Sequence, residues 1–246
     1  MQIVTNGLVI REVKTGEADR IITILSDKYG LISASAKNSM KIKSNLLSAT
    51  SLFSYSEFTL YKGKSMYIVN DAHVNNVFHN ITDDLNKLAL AMYLAEFTSI
   101  ILEQDQESKE QLNLLLNCLY VLNTNKYPAN MVKAVYELRT LSNYGFMPNL
   151  VACSKCFKYE GGAFAFRLKD ASLLCSKCAG YYNIKPNISS ACLKAMRHII
   201  FTDNKKIFSF KISDENLLYL SKITEAYLII QLDRSFKTLD FLKSIS

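Results

Sequence analysis

The chain has 246 residues, of which 49% are hydrophobic and 21% are charged, with eight glycines and three prolines. This is an ordinary globular composition, and it excludes a disordered or low-complexity chain. No apolar run reaches the roughly 18 residues that a membrane-spanning helix needs, and residues 1–13 lack the apolar core of a signal peptide, so we expect a cytoplasmic protein.

The net charge of +7 is distributed unevenly. Residues 1–80 carry +3, residues 81–150 carry −3 and residues 151–246 carry +7. An acidic middle thus separates two basic ends. This pattern indicates a polyanionic partner for the ends and a different partner for the middle.

Five short runs rich in β-branched and aromatic residues occupy the first 80 positions. They cover residues 3–13, 20–25, 31–36, 52–61 and 66–71. Clusters of turn-forming residues separate them. The runs predict a small closed β-barrel, because closure removes the exposed edges of an open sheet. The pattern alone does not distinguish an OB barrel from an SH3-like barrel.

Lysines concentrate in two connections of the predicted barrel. Lys37, Lys41 and Lys43 lie between the third and fourth runs, and Lys62 and Lys64 flank the turn between the fourth and fifth. A groove lined in this way follows a phosphate backbone, while nearby aromatic rings stack on bases. The candidate rings are Tyr29, Tyr61 and Tyr67. The alternative is that the lysines are only solvated loop residues and the tyrosines only core residues.

Beyond residue 82 the hydrophobic period changes from two to 3.6, which predicts helices. The first covers residues 85–100, and the second covers residues 112–122 behind a capping box formed by Ser108 and Gln111. A third is predicted over residues 129–144, with Gly145 as its C-cap and Pro148 as a stop. Helical periodicity returns after residue 190 and again after residue 215.

Two C-x-x-C pairs stand between these helical regions. The first is Cys153 and Cys156, and the second, eighteen residues later, is Cys175 and Cys178. Each pair places two thiolates on one side of a tight turn, and two such turns supply the four soft ligands of a structural zinc ion. The spacing predicts a closed site of four cysteines, in which zinc stabilises structure and catalyses nothing. The segment 149–182 is therefore interpreted as a zinc knuckle inserted into a helical region.

Three other interpretations compete with zinc. Disulfides are disfavoured because a reducing compartment is expected. A redox dithiol normally occurs once, within a βαβ pattern that is absent here. A relic site that no longer binds metal stays open. A zinc deaminase is excluded, because no histidine precedes a glutamate by two residues and Ala152, rather than a proline, precedes the first cysteine.

The remaining candidates for chemistry have structural explanations. Cys118 and Cys192 lie on apolar helix faces, and we expect them to be small buried hydrophobes. His198 is predicted to be a surface or partly packed residue rather than a ligand. The phosphate-binding, dinucleotide-binding, zinc-protease and hydrolase motifs are missing from the sequence. The chain is therefore not expected to be an enzyme.

Taken together, several stretches resemble the RecO family of bacterial recombination mediators. Residues 16–23 and 30–34 are similar to two barrel motifs of the family, and residues 36–44 resemble its basic loop. Residues 60–64 resemble the turn before its last barrel strand, and residues 136–153 resemble the helix that leads into its zinc knuckle. The basic loop has Asn38 and Ser39 where the family often has Ala and Arg, and the knuckle has Phe157 where glycine is common.

This resemblance implies an α+β protein. An N-terminal OB-fold barrel would occupy residues 1–80, and an all-α domain carrying the knuckle would occupy residues 81–246. It implies binding of single-stranded and double-stranded DNA, annealing of strands coated with single-strand-binding protein (SSB) through its C-terminal tail, and action with RecR to load RecA. Lys37, Lys41, Lys43, Lys62 and Lys64, together with Arg20, are the predicted DNA contacts.

Two hypotheses of other classes compete with the mediator. One is an adaptor whose acidic helical middle binds a protein and whose knuckle only stabilises the fold. The other is an OB-fold RNA-binding protein, which a comparison of RNA with DNA of the same sequence separates from the mediator.

Overall fold

A computed structural model describes residues 1–102 and 106–245. The chain folds into two compact units, one formed by residues 1–125 with residues 236–246, the other by residues 126–235. The protein is thus a mixed α+β structure with an N-terminal sheet and a helical C-terminal region, as predicted. Within the described residues, no helix combines the length and apolar character needed to cross a membrane.

The sheet of the first unit is a closed five-stranded barrel, which confirms the predicted closure. Its strands are β1 (Gln2–Thr15), β2 (Asp19–Ser26), β3 (Gly30–Ala36), β4 (Ser54–Lys62) and β5 (Tyr67–Val77). Around the barrel the strands follow the order β1-β2-β3-β5-β4. All neighbours are antiparallel except β3 and β5, which pair in parallel over two positions, Ala34 with Tyr67 and Ser35 with Ile68.

Strand β1 belongs to both halves of the barrel. Its first half pairs with β4 and its second half with β2, and the change of partner occurs at Gly7, which pairs with Ser26 on one side and Ser56 on the other. A Cβ atom at Gly7 would lie 2.3 Å from Cγ2 of Ile24. Glycine is therefore required there, because only it permits this close approach of two strands.

Alternate residues of the strands fill the barrel. The core includes Val9, Ile22, Ile24, Ile32, Ala34, Phe58, Leu60 and Val69. These are the inward positions of a period-two pattern, so the alternation that predicted the strands also places the core.

Among the residues that the structure describes, five helices complete the first unit. They are α1 (Leu46–Ala49), α2 (His79–Thr82), α3 (Leu85–Ile101), α4 (Lys109–Asn123) and α9 (Lys237–Ile245). Helices α3 and α4 confirm two predicted helices, whereas α1 and α9 are additional to the predictions. Phe236, just before α9, makes edge-to-face contacts with Tyr93 and Phe97 of α3, at 5.6 and 5.9 Å between ring centroids. These contacts hold the C-terminal helix in the first unit.

The predicted capping box at Ser108 is correct for the position of the N-cap residue but wrong for the role of its hydroxyl. Ser108 is the N-cap residue of α4, but its hydroxyl does not cap the helix. It donates instead to the carbonyl oxygen of Ser26 at 2.8 Å, at the end of β2. The hydroxyl that the local sequence predicts to cap the helix thus forms a long-range hydrogen bond instead.

The second unit consists of helices around a small sheet. Its elements are α5 (Ala129–Asn143), β6 (Asn149–Cys153), β7 (Phe164–Arg167), β8 (Ser172–Cys175), α6 (Ser176–Tyr181), α7 (Ser190–Phe201), a 3-10 helix (Asn204–Lys206) and α8 (Asp214–Leu232). The three strands form a sheet in the order β6-β8-β7. The cysteine segment is therefore an insertion between α5 and α7, as predicted.

The predicted helix end at Gly145 and the predicted environments of the isolated cysteines and of His198 are confirmed. Gly145 has a φ of +90° and follows α5, and the amide of Phe146 donates to the carbonyl of Leu141 at 2.9 Å. This is a Schellman-type helix end, which needs a residue in the left-handed region. Cys192 is buried, and so is Cys118 in the first unit. His198 is half-buried and its Nε2 lies 3.0 Å from the carbonyl oxygen of Lys206.

A buried ionic cluster joins α5 to α8. The Nζ atom of Lys133 lies 2.9 Å from carboxylate oxygens of both Glu137 and Glu225, and it donates to the carbonyl of Ser221 at 3.2 Å. Glu137 is fully buried and also accepts a hydrogen bond from Thr224 at 2.6 Å. Burial alone would lower the pKa of Lys133, but the two carboxylates raise it above its usual value.

We predict that Lys133→Met lowers the free energy of unfolding by about 3–5 kcal/mol, because it leaves the buried carboxylate of Glu137 without its cation. The control is Lys222→Met, which removes an exposed lysine from α8 and should change stability by less than about 0.5 kcal/mol. Urea unfolding followed by circular dichroism measures both. Equal stability of the two variants would contradict a structural role for the cluster.

Candidate nucleic-acid interface and metal centre

The outer surface of β2 and β3 forms a polar strip on the barrel. Ile21 pairs with Ser35 and Thr23 with Ser33, and these side chains point away from the barrel core. The connection that follows β3 is fixed beside the β1–β2 turn, because the amide of Asn38 donates to the Asp19 carboxylate at 2.6 Å. The amide of Met40 likewise donates to the Ala18 carbonyl at 2.9 Å. The basic connection thus borders one end of the strip.

The other lysine-bearing turn borders the same strands. Lys62 is paired with Tyr67 at the start of β5, and Tyr67 is paired with Ala34 near the end of β3. The register therefore places Lys62 and the end of β3 in one row across neighbouring strands, which lie ~4.8 Å apart. Both lysine groups border the β3 edge of the strip.

All five candidate lysines are exposed. They are Lys37, Lys41, Lys43, Lys62 and Lys64. Within the described part of the chain, none of them forms an ion pair. Their charges are thus free to bind an anion.

Sequence reasoning missed one feature of the basic connection. Ile42, between Lys41 and Lys43, is 94% exposed. The sequence signal for this exposed side chain is an isoleucine flanked by two lysines in a predicted loop. An exposed apolar side chain between two cations suits a ligand that carries both charge and apolar faces.

The three candidate tyrosines divide into two groups. Tyr29 and Tyr67 are partly buried and pack against the barrel core, whereas Tyr61 is 54% exposed. Tyr61 is therefore the ring most available for stacking. The other two have a clear structural role, as the alternative interpretation stated.

The structure gives Arg20 a different environment from the lysines. Its side chain is buried, and Nη1 lies 3.1 to 3.3 Å from the Leu47 carbonyl and the hydroxyls of Thr50 and Ser51. The same atom lies 3.6 Å from the Glu12 carboxylate. These contacts hold α1 and the residues after it against the barrel, so Arg20 is committed to the fold, although sequence reasoning placed it among the DNA contacts.

The four predicted ligands meet at one point in the second unit. The Sγ atoms of Cys153, Cys156, Cys175 and Cys178 all lie within 4.8 Å of one another. Cys156 and Cys175 are 3.5 Å apart at sulfur, far beyond a disulfide bond of ~2.05 Å. Tetrahedral ligation at ~2.3 Å separates thiolates by about 3.8 Å. The donor set and its spacing therefore fit a structural metal ion.

Backbone amides prepare this cluster for thiolates. Burial alone would raise the pKa of Cys153, but the amides of Cys175, Cys156 and Lys155 lower it to about 6. The amide of Cys178 lowers the pKa of Cys175. The pKa of Cys178 is raised to about 12, first through its hydrogen bond to Cys156.

Arg197 of α7 fixes the cysteine segment to the helices, and sequence reasoning missed it. Its Nε donates to the carbonyl of Leu150 at 2.7 Å, and its Nη2 donates to those of Val151 and Tyr159 at 2.8 and 2.9 Å. The guanidinium also lies 4.2 Å from the centroid of the Tyr159 ring. A charged group in a helix that satisfies two carbonyls of strand β6 and one of the turn after it holds this segment in one conformation.

Two family models together match nearly the whole chain. The model "Recombination protein O N terminal" matches residues 1–78, and the model "Recombination protein O C terminal" matches residues 82–240. Both descriptions name the same recombination protein.

Curated relatives match over the same extent. DNA repair protein RecO of Acetivibrio thermocellus is 38% identical over 98% of this chain and 96% of its own length. The protein of that name from Alkaliphilus metalliredigens is 30% identical over the full length of both chains. The one from Caldicellulosiruptor bescii is 30% identical over 99% of this chain and 98% of its own.

We predict that Cys153→Ser lowers the bound metal content and the thermal midpoint together, since metal binding and folding are linked. Metal analysis of the purified protein and differential scanning calorimetry provide the two measurements. The control is Cys118→Ala, which changes a fully buried cysteine remote in sequence from the cluster. It should reduce stability but leave the metal content unchanged. Metal-free wild-type protein with the midpoint of the variant would contradict this prediction.

Proposed function

Because the chain belongs to the RecO family, which acts in DNA repair and recombination, we propose that it is a non-catalytic recombination mediator. It binds single-stranded and double-stranded DNA and anneals complementary strands coated with SSB. Together with RecR it helps to load RecA onto the coated single strand. The observation that carries this proposal is the set of five exposed, unpaired lysines in the two connections that border the β2–β3 strip.

The barrel supports the DNA-binding part of the proposal. Its strand order, β1-β2-β3-β5-β4 around a closed sheet, suits an OB-fold, in which the face of the second and third strands and the adjoining loops bind nucleic acid. We assign the phosphate contacts to the five lysines and leave Arg20 out, since its guanidinium is buried against Leu47 and Thr50. Tyr61 and Ile42 supply apolar surface for the bases.

The remaining roles are assigned according to the domains predicted from the sequence. In this proposal the barrel of residues 1–80 binds DNA, and the helical residues 81–246, which belong to both compact units, dock the C-terminal tail of SSB and meet RecR. The acidic stretch 81–150, with a net charge of −3, is unsuited to DNA and favours protein partners.

The metal of the cysteine cluster is proposed to be zinc. Four thiolates in a tetrahedral arrangement are the donor set that zinc prefers in structural sites. When bound, the ion neutralises the thiolate charges and cross-links the four ligands. Its role is limited to these two effects, since four protein ligands leave no position for a substrate. Cys153 and Cys156 attach the end of β6 to Cys175 and Cys178 at the start of α6. The knuckle thereby gains the stability that its small sheet lacks.

We predict that the affinity for single-stranded DNA falls with salt, and that the five barrel lysines together contribute about −3.5 to the log–log slope, about −0.7 for each. The double substitution Lys41→Ala with Lys43→Ala should make the slope shallower by about 1.4. It should weaken binding to different sequences equally, because phosphate contacts carry no base information. Fluorescence anisotropy across a salt series measures both quantities.

A matched control replaces two exposed lysines outside the barrel loops, Lys109 and Lys126, by alanine. This variant removes the same charge and should keep the slope of the wild type. A slope near zero in the wild type, or an equal loss in the control, would contradict the assignment to the barrel.

We predict that the protein accelerates annealing of complementary DNA strands pre-coated with SSB. The assay follows duplex formation by fluorescence quenching, with the Lys41→Ala, Lys43→Ala variant beside the wild type. Acceleration by the wild type and a reduced rate with the variant are expected, because the barrel must hold one strand while SSB is displaced. Background annealing despite tight binding to bare DNA would refute the mediator. Tighter binding to RNA of the same sequence would favour the RNA-binding alternative instead.

A further inference from the structure

The turns that carry the four cysteines expose an unusual set of side chains. Phe157 is 80% exposed, Tyr181 is 74% exposed and Tyr182 is 53% exposed. Large aromatic side chains dominate the energetics of cores and interfaces, so several of them together on an exposed surface indicate a partner.

Lysines are interleaved with these rings. Each C-x-x-C turn holds a lysine in its middle, Lys155 in the first and Lys177 in the second, and Lys158 ends the first turn. All three are exposed and, in the described ranges 1–102 and 106–245, have no ion-pair partner. Across residues 153–185 there are six basic and two acidic side chains. The charge of this surface is therefore complementary to a polyanion.

The cysteine cluster brings these side chains into one neighbourhood. All four sulfurs lie within 4.8 Å of one another, so the two C-x-x-C segments that carry these lysines meet at the cluster. The Nζ atom of Lys155 lies 5.7 Å from the centroid of the Tyr182 ring, so a residue of the first turn contacts the residue that follows α6. Phe157 lies two positions after Lys155 in the same turn. We refer to Lys155, Phe157, Lys158, Lys177 and Tyr182 as the knuckle face.

Phe157 also has a strained backbone. Its φ is +60°, in the left-handed region that favours glycine, and its amide donates to the carbonyl of Cys153 at 3.0 Å to close the turn. A bulky side chain in that region costs free energy, and at 80% exposure it recovers little by packing. A strained, exposed aromatic residue is the kind of outlier from which a functional role is inferred.

We propose that the knuckle face is a second binding surface for single-stranded DNA, on which unpaired bases stack against Phe157 and Tyr182 while the lysines bind the phosphates. Single-stranded nucleic acid presents charged groups and flat apolar rings in alternation, which is the pattern that this face complements. An acidic peptide would match the charge but not the exposed rings in such number. The inference rests on the proposed function in taking DNA as the ligand, and it extends DNA binding beyond the barrel.

The decisive variant is Phe157→Gly. Glycine relieves the strain at φ +60°, so the thermal midpoint should stay unchanged or rise, and the metal content should not change. The loss of one stacking partner should weaken binding to an oligothymidylate by about fivefold or more, with the salt slope unaltered because no charge is removed. Phe157→Trp should retain wild-type affinity, and Tyr182→Ala should weaken binding similarly.

The matched control is Tyr120→Ala, which removes a tyrosine from α4 that is as exposed as Tyr182, 53% in each case. It should leave the affinity unchanged. Photocrosslinking with iodouracil-substituted single strands supplies an independent readout, since iodouracil reacts with stacked aromatic rings. Adducts at Phe157 or Tyr182 are expected from the wild type, and adducts confined to the barrel from a variant that lacks both rings.

The outcomes separate this inference from the proposed function. If the wild type binds DNA, but Phe157→Gly and Tyr182→Ala bind equally well and all adducts lie in the barrel, the knuckle face is refuted and the mediator stands. The same holds if these variants lose only the binding of an acidic peptide. If the wild type binds no single-stranded DNA, the proposed function fails, and the inference fails with it.

Discussion

The parallel pairing of β3 with β5 is the constraint on which the candidate DNA surface depends. It covers only two positions, yet it closes the barrel and brings the β4–β5 turn beside the end of β3. Without that pairing, Lys62 and Lys37 would belong to opposite margins of an open sheet. The hydrogen bonds from the β3–α1 connection to Asp19 and Ala18 then fix the second lysine group. Closure thus determines where positive charge is exposed.

The second unit also fixes the position of an exposed segment, but it does so with different chemistry. The sheet of β6, β7 and β8 buries Phe164, Phe166 and Leu173, and two further interactions fix the segment around it. The four thiols converge at sulfur, and Arg197 satisfies three carbonyls of the segment from α7. Both are directional and tolerate exposure, which apolar packing does not. The surrounding turn can therefore present aromatic rings to solvent.

Periodicity and spacing in the sequence were sufficient for the barrel strands, for helices α3, α4 and α5, and for the convergence of the four cysteines. Each of these depends on residues close together in sequence. The burial of Arg20 against Leu47 and the hydrogen bond of Ser108 to Ser26 could not be predicted, because these partners are distant in sequence. Helix α9 is amphipathic but only nine residues long, and its position depends on a contact distant in sequence, the packing of Phe236 against Tyr93. Long-range contacts override local preference at such sites.

Ile42 and Phe157 have the same kind of surroundings in two unrelated parts of the fold. One lies in a barrel loop and the other in a cysteine turn, yet each is an almost fully exposed apolar side chain among lysines. A soluble protein gains nothing by placing an apolar group between cations, since water solvates the cations and not the group. The arrangement becomes more favourable beside a ligand that pairs the charges and covers the apolar surface together. Unpaired nucleotides meet both conditions, because each carries one phosphate and one base.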